Sequence, residues 1–454
     1  MRLSKQTAAP RREPTATPEP TPSPGGLRWA PHPLAPHVPG RSRTRRTVRP
    51  LLSACGGGSG GSSDKTLEWW NISTSEPGKT LWPQAVQEYQ AAHPGVTIKQ
   101  NPMENDAYKS KMTAQTASGK LPDIFHTWGG GVLKQQVDAG LVRDITDDVK
   151  PWIGNLSPIA RQAYEFDGKI YAIPYDIGMV GFWYNKAHFD KAKIDKPPAT
   201  WAEFLEDVRK LKAAGITPIA LGGKEKWPGH YYWAYLAIRL GGVAAVQQAA
   251  KTNDFTADPF VQAGRHLKEL VDLQPFQNGF LGASYSSTDG QAAQMGNGKT
   301  AMELMGQWAP SVQKDMGKGI GDDLGFFPFP AVEGGSGAVT EVFGGGGGNA
   351  VGRDGPDIAI DFLKFFASVE SDRKRVASGG YLPITKGSES ALTDPNLRTV
   401  WEHLNKATGF QQFFDQAFPP VVGQEVNDQV AALIAGKATP EQVAQAVTQA
   451  AKGQ

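Results

Sequence analysis

Short apolar runs alternate with segments of helical spacing from Thr66 onward, and this alternation narrows the fold more than any other feature of the chain. Residues 66–72 (T-L-E-W-W-N-I) read as a first strand. Residues 81–92 carry Leu81, Ala85, Val86 and Tyr89 at helical spacing, and His93-Pro94-Gly95 ends that helix. A strand over 96–98, a helix over 108–118 closed by Gly119, and a strand opening at Ile124 follow. Strands separated by helices of this length imply βαβ units, a largely parallel sheet and an α/β fold. Further strands are expected at 180–184, 216–221, 301–305, 324–329 and 339–343. The aromatic-dense run 227–233 leads into a helix to Leu240, and further helices are expected at 260–273, 357–368, 400–406 and 439–451. Another helix opens at Thr200-Trp201-Ala202-Glu203, a capping box, and runs to about Ala214. A chain of 454 residues exceeds what one core usually organises, so two lobes are the prior.

One stretch stands out for function: L-P-D-I-F-H-T-W-G-G-G at 121–131. A bulky aromatic at the carboxyl end of a strand, followed by residues without Cβ, lets a ligand or another backbone come close. In open α/β sheets small molecules bind in the crevice beyond the strand ends. The plainer alternative makes Trp128 a core residue and the glycines a turn before a helix from Val132.

Charge is unevenly distributed. Residues 1–50 hold nine Arg and one Lys against Glu13 and Glu19, a balance of about +8. The remainder has 37 basic and 43 acidic residues, about −6, which argues against a nucleic-acid partner. Cys55 is the only cysteine, excluding an internal disulfide and any cysteine-based zinc or iron–sulfur site. The eight His are scattered, so no metal site is expected, and no run of 18 apolar residues spans a membrane.

Several segments line up with one family. Leu52-Ser53-Ala54-Cys55 and the following Gly/Ser run resemble a bacterial lipobox with its tether. The apolar stretch before it is short, only 48–54, and is interrupted by Arg49 and Pro50. H-P-G-V-T-I (93–98), G-K-L-P-D-I-F (119–125), I-Y-A-I-P-Y (170–175), W-Y-N-K (183–186) and K-T-A-M-E-L-M-G-Q-W-A (299–309) follow in order. The set resembles the extracellular solute-binding proteins of ABC sugar importers, the group containing maltose-binding protein. W-W-N and W-G-G-G look most similar to actinobacterial members that take up short oligosaccharides, xylo-oligosaccharides among them.

The resemblance implies the two-lobed type II periplasmic-binding-protein fold, with sugar held between two α/β lobes. Residues 1–54 then read as a disordered, signal-like segment and 55–64 as a tether. Lobe one takes 65–176 plus 345–408, and lobe two takes 177–344 plus 409–454. Chain crossings fall near 175–178 and 343–348. The five glycines 344–348 gain a role there, absorbing φ/ψ change as the lobes close. Expected partners are an oligosaccharide, the importer's membrane permease subunits, and the membrane through lipidated Cys55 alone. No cofactor is implied, and the protein is expected to be an extracytoplasmic monomer.

A sugar presents hydroxyls at its rim and C–H groups on its faces. It suits aromatic platforms with a few planar polar groups. By the family's motifs, Trp128 and Gly129 supply the first lobe's stacking position and Trp308 the second lobe's. Asn71, Ser73 and Thr74 follow the first strand, Glu104 and Asn105 the second, and Asp176 sits near the first crossing. Trp227, His230 and Tyr231 fall in a variable region that sets selectivity. Phe343 and Gly344 precede the second crossing, and Tyr381 reaches the rim. Trp69, Trp70, Trp183, Trp201 and Trp233 lie inside expected strands or helices and read as core. Two other functions compete. A glycosidase needs a carboxylate pair about 5–9.5 Å apart, for which Glu104 and Asp176 are the candidates. A binding protein for a non-sugar solute, such as a glycerol phosphate, an amino acid or a metal, is the other; phosphate would need cations in the loops, which the candidate loops nearly lack.

Overall fold

The computed structural model describes residues 65–454. The tether, Cys55 and the Arg-rich segment lie outside the described residues. Strand Lys65–Asn71, helix Gly78–Ala92, strand Val96–Pro102, helix Asn105–Ser118 and strand Ile124–Thr127 open the chain in the alternation expected. Lys65–Asn71 pairs in parallel with Val96–Pro102 on one side and with Ile124–Thr127 on the other. Gly348–Val351 then joins antiparallel to Ile124–Thr127 and carries Ala172–Pro174 on its far edge, making five strands.

Successive side chains of a strand leave opposite faces, and the W-W pair shows this directly. Trp69 sits among Trp82, Phe362 and Phe366, with ring centroids 6.3, 5.3 and 5.3 Å away. Trp70 turns to the other face with Tyr108, Met112 and Phe125, and Lys111 Nζ lies 3.8 Å from its ring centroid. Both are buried, so the W-W-N motif is chiefly a core motif.

A second sheet orders Leu324–Phe327, Gly181–Asn185, Thr300–Met305 and Thr217–Ile219. Its core collects Trp183, Trp201, Trp233 and Tyr235, all essentially inaccessible. Helix Trp201–Ala213 opens with the capping box: the Thr200 hydroxyl accepts from the Glu203 backbone N–H, and the Glu203 carboxylate accepts from that of Thr200. Helix Trp227–Thr252 runs past its expected end and kinks at Gly242, where φ is 73°. Just before the kink, the buried Arg239 guanidinium donates to the carbonyls of Phe329, Pro330, Ala338 and Glu341. Helix Pro395–Asn405 also starts earlier than expected. Its Leu397, Val400 and Leu404 join the core that holds Trp183.

A third, small sheet runs Gly409–Gln412, Glu341–Gly345, Gly178–Met179. Here one expectation is corrected. Residues 344–348 are not a conformational break, because Gly344 and Gly345 complete one strand and Gly348 opens the next. None of the five has a positive φ. Their lack of Cβ serves close contact. A Cβ on Gly344 would overlap the Gly178 carbonyl, one on Gly346 the Asp176 carbonyl, and one on Gly347 the Tyr175 ring. Residues 175–178 and 344–347 lie against each other closer than any larger residue permits.

Gly346→Ala should therefore lower stability by about 1–3 kcal/mol, the usual cost of overpacking. Gly282→Ala, which meets nothing within 4 Å, should stay within about 0.5 kcal/mol. Thermal melts of the two variants check this; equal melting points would refute the packing role.

Candidate ligand-binding site

A cleft of about 610 Å³ opens beside the small sheet, within the range of small-molecule sites. Trp128 and Trp308 both line it, and both are half-buried.

Trp308 is positioned by what lies beneath it. Strand Thr300–Met305 ends in Gly306-Gln307, and the buried Trp183 indole donates to the carbonyls of Met305 (3.2 Å) and Gly306 (3.0 Å). The Trp308 ring folds back over Gly306, where a Cβ would overlap it. Trp308 is also the N-cap residue of helix Ala309–Met316, whose first turn contains Pro310. These restraints fix the ring before any ligand arrives.

Trp128 leaves the end of strand Ile124–Thr127. His126 meets its ring edge-on at 4.5 Å and Tyr108 at 5.8 Å. Gln412 Nε2 donates to its carbonyl at 2.6 Å. Gly129 and Gly130 follow with φ of 75° and 60°, conformations that favour glycine. A Cβ on Gly129 would strike the Ala163 carbonyl, and one on Gly131 the Phe418 carbonyl. The glycines thus admit other backbone, and the aromatic alone faces the cleft.

Asp176 lies at the cleft, 9% exposed. Gln307 Nε2 donates to its Oδ2 at 2.8 Å, while Oδ1 is buried with no partner. Burial pushes its pKa up to about 7, against the opposing pull of the Ile177 N–H, Arg375 and Gln307. Nearby, the Tyr175 hydroxyl and His126 Nδ1 share a 3.0 Å hydrogen bond. Burial drives His126 down to about 3, so its ring is neutral, and its Nε2 has no partner. The buried Oδ1 and Nε2 are polar atoms without partners, which a polar ligand can satisfy.

Of the residues singled out from sequence, ten line the cleft. Ser73, Thr74 and Glu104 come from loops after the first two strands, Asn105 opens the helix that follows, and Trp128 and Asp176 accompany them. Trp227, Tyr231, Trp308 and Tyr381 form the remainder. Five do not line it. Asn71 is buried and accepts from the Ser73 N–H at 3.0 Å, shaping the loop from behind. Gly129 faces Ala163, and Gly344 faces Gly178. Phe343 is fully buried and braces Tyr231 and Phe413 edge-on at 5.5 and 5.3 Å. His230 is also fully buried; burial takes its pKa down to about 4, and Asp415 lies 4.0 Å away.

Sequence reasoning missed other cleft residues. His126 and Tyr175 belong to motifs already quoted, and their positions at strand ends were a usable signal. Glu225 adjoins Trp227, and its carboxylate accepts from the Tyr285 N–H at 3.0 Å. Tyr285 and Phe413 sit in segments with no distinguishing pattern. Two cations also reach the cleft, Lys224 from a loop and Lys109 from helix Asn105–Ser118. Lys109 is bound to Asp415 at 3.0 Å, with Nζ 5.3 Å from the Trp128 ring centroid. Among the described residues, no group of three or more His, Cys, Asp or Glu is placed to hold a metal.

The profile of the bacterial extracellular solute-binding proteins matches residues 72–372. The chain belongs to that family. Its fold is the type II periplasmic-binding-protein fold shared by solved sugar-binding proteins. The diacetylchitobiose-binding protein of Streptomyces coelicolor is 26% identical over 358 residues, covering 75% of this chain and 80% of the relative. A solved chitin oligosaccharide binding protein superposes with TM-score 0.79 at 27% identity, covering 86% of this chain and 99% of its own. A structure from work on xylan utilization by Caldanaerobius polysaccharolyticus also reaches 0.79, at 30% identity, covering 85% and 99%.

This solute-binding protein should lose stability as pH rises through the range where Asp176 ionises. The folded pKa is raised from 3.8 to about 7, so the folded state holds a proton that the unfolded chain releases. That contribution is full below about pH 4 and lost as pH rises through about 7. Asp176→Asn removes it. The variant's melting point relative to wild type should climb from about pH 4 to about 7 and level off above. A difference independent of pH would contradict the assignment.

Proposed function

We propose that this protein is the receptor of an ABC sugar importer, capturing a short oligosaccharide outside the membrane and delivering it to the permease. The observation that carries this reading is the pairing of Trp128 and Trp308. They project from the ends of strands in two different sheets into one cleft. Two indoles with unsatisfied polar atoms at Asp176 and His126 between the sheets suit a ring with apolar faces and a hydroxyl rim. A xylo-oligosaccharide is the reference ligand, supported by the 30% identical structure from xylan utilization.

Residues 65–176 and 345–408 act as one lobe, and 177–344 and 409–454 as the other. The closed arrangement is selected by ligand because only there do both indoles touch it. Lipidated Cys55 and its tether hold the receptor, a monomer, at the outer face of the membrane, raising its local concentration at the permease. Capture leaves the sugar chemically unchanged.

Calorimetric titration with xylo-, cello-, malto- and chito-oligosaccharides tests this. At least one series should bind, and chromatography should recover it intact. Trp308→Ala should cost on the order of 2 kcal/mol, the scale of an interface hot spot, or about thirtyfold in Kd. Trp128→Ala should behave similarly. No heat with any series, or cleavage of the sugar, would end the receptor reading.

A further inference from the structure

The charges around the cleft are lopsided. Glu76, Glu104, Asp106, Asp176 and Glu225 all line it, and none has an ion-pair partner among the described residues. Against them stand Lys109 and Lys224. Lys109 is already committed to Asp415, a side chain 4% exposed, at 3.0 Å. Asn427 also donates to that Asp415 carboxylate, at 3.5 Å. Burial alone would raise Asp415, yet Lys109 and the hydrogen bonds hold it below the usual carboxylate range. Lys109 is therefore neutralised from outside the ligand's space. Lys224, exposed, is the one cation in the lining without an ion-pair partner among the described residues.

A second observation ties this excess to a ligand. Asp176 is nine-tenths buried, and its Oδ1 has no hydrogen-bond partner. Its Oδ2 is satisfied by the uncharged Gln307 amide, and no Lys or Arg lies within ion-pair distance. A buried carboxylate without a cation is costly to keep ionised, which is the physical source of its raised pKa. A cation brought against this carboxylate from the cleft would reduce that cost. The aromatic rings around the cleft add to the attraction, because Trp and Tyr faces draw cations. Trp227, Tyr231, Tyr285 and Trp308 all belong to the lining.

We propose that the cleft takes an amine-bearing sugar, a hexosamine oligosaccharide with a free ammonium group, more tightly than its neutral counterpart, and that it rejects sugars carrying carboxylates. This rests on the receptor reading and names the chemical class that the same cleft favours. Salt screens exposed charges beyond about 8 Å, a length comparable to the breadth of a 610 Å³ cleft. The wall carboxylates therefore act together on whatever lies inside. An acidic side chain would meet the same field with the opposite sign, a repulsive element that sharpens selectivity.

The test is calorimetric titration of the protein near pH 7 with four probes: the glucosamine trimer, the N-acetylglucosamine trimer, xylotriose, and xylotriose carrying a glucuronic acid branch. The glucosamine trimer should bind roughly tenfold more tightly than its acetylated form at about 50 mM salt, and only about twofold at about 500 mM. The glucuronic acid branch should weaken xylotriose binding. The ratio of amine to neutral affinity should collapse in Asp176→Asn and shrink in Glu225→Gln, whatever happens to either affinity alone. Equal or weaker binding of the amine, or a preference indifferent to salt, overturns the amine assignment while leaving the receptor reading in place. Silence from all four probes overturns the amine assignment, and the receptor reading is then decided by the cello- and malto-oligosaccharide titrations.

Discussion

The structure depends on one close approach. Residues 175–178 and 344–348 run against each other with no room for a Cβ between them. Gly344 and Gly345 pair with Met179 and Gly178, and the Tyr175 N–H donates to the Gly347 carbonyl at 2.9 Å. This contact seats Asp176 between the five-stranded sheet and the small sheet, with its carboxylate turned toward Gln307. If the glycines were larger, the strands on both sides would have to separate, and the floor of the cleft would move with them.

The visible binding surface rests on a concealed second layer. Trp308 is set by the Trp183 indole beneath it, and Trp128 by Gln412 from a strand of the small sheet. Phe343 and Phe413 play the same part for Tyr231, which stacks on Phe413 at 5.1 Å. Residues that never meet a ligand thus determine where the contacting rings stand, and this preorganisation limits the ordering cost of binding.

How much was legible in the sequence varied with the physics involved. The βαβ opening was readable because apolar spacing and stop residues act locally, as the helices ending near Gly95 and Gly119 show. The capping box at Thr200 was readable for the same reason. Helix Pro420–Ile434 went unread although Val422, Val426, Val430 and Leu433 fall on one helical face and are all buried. The cleft was read well where a residue ends a strand, as with Trp128 and Trp308. It was misread at Phe343 and His230, since composition shows an aromatic or a histidine and not whether a neighbouring sheet covers it. Phe413 and Tyr285 were invisible because long-range packing alone brings them in. The glycines 344–348 were noticed but the contact they make was not: absence of Cβ permits both freedom and close approach, and only tertiary structure shows the approach.

The distribution of indoles has a consequence for observing this molecule. Of the eleven tryptophans in the described residues, Trp69, Trp70, Trp82, Trp183, Trp201 and Trp233 are buried in the cores. Trp152 and Trp401 pack at the edges of those cores, away from the cleft. Only Trp128, Trp227 and Trp308 line it. Light emission from the buried rings forms a steady blue-shifted background. Any spectral displacement on occupancy arises from three chromophores, and replacing each in turn by phenylalanine would resolve the signal into separate reports from the two walls.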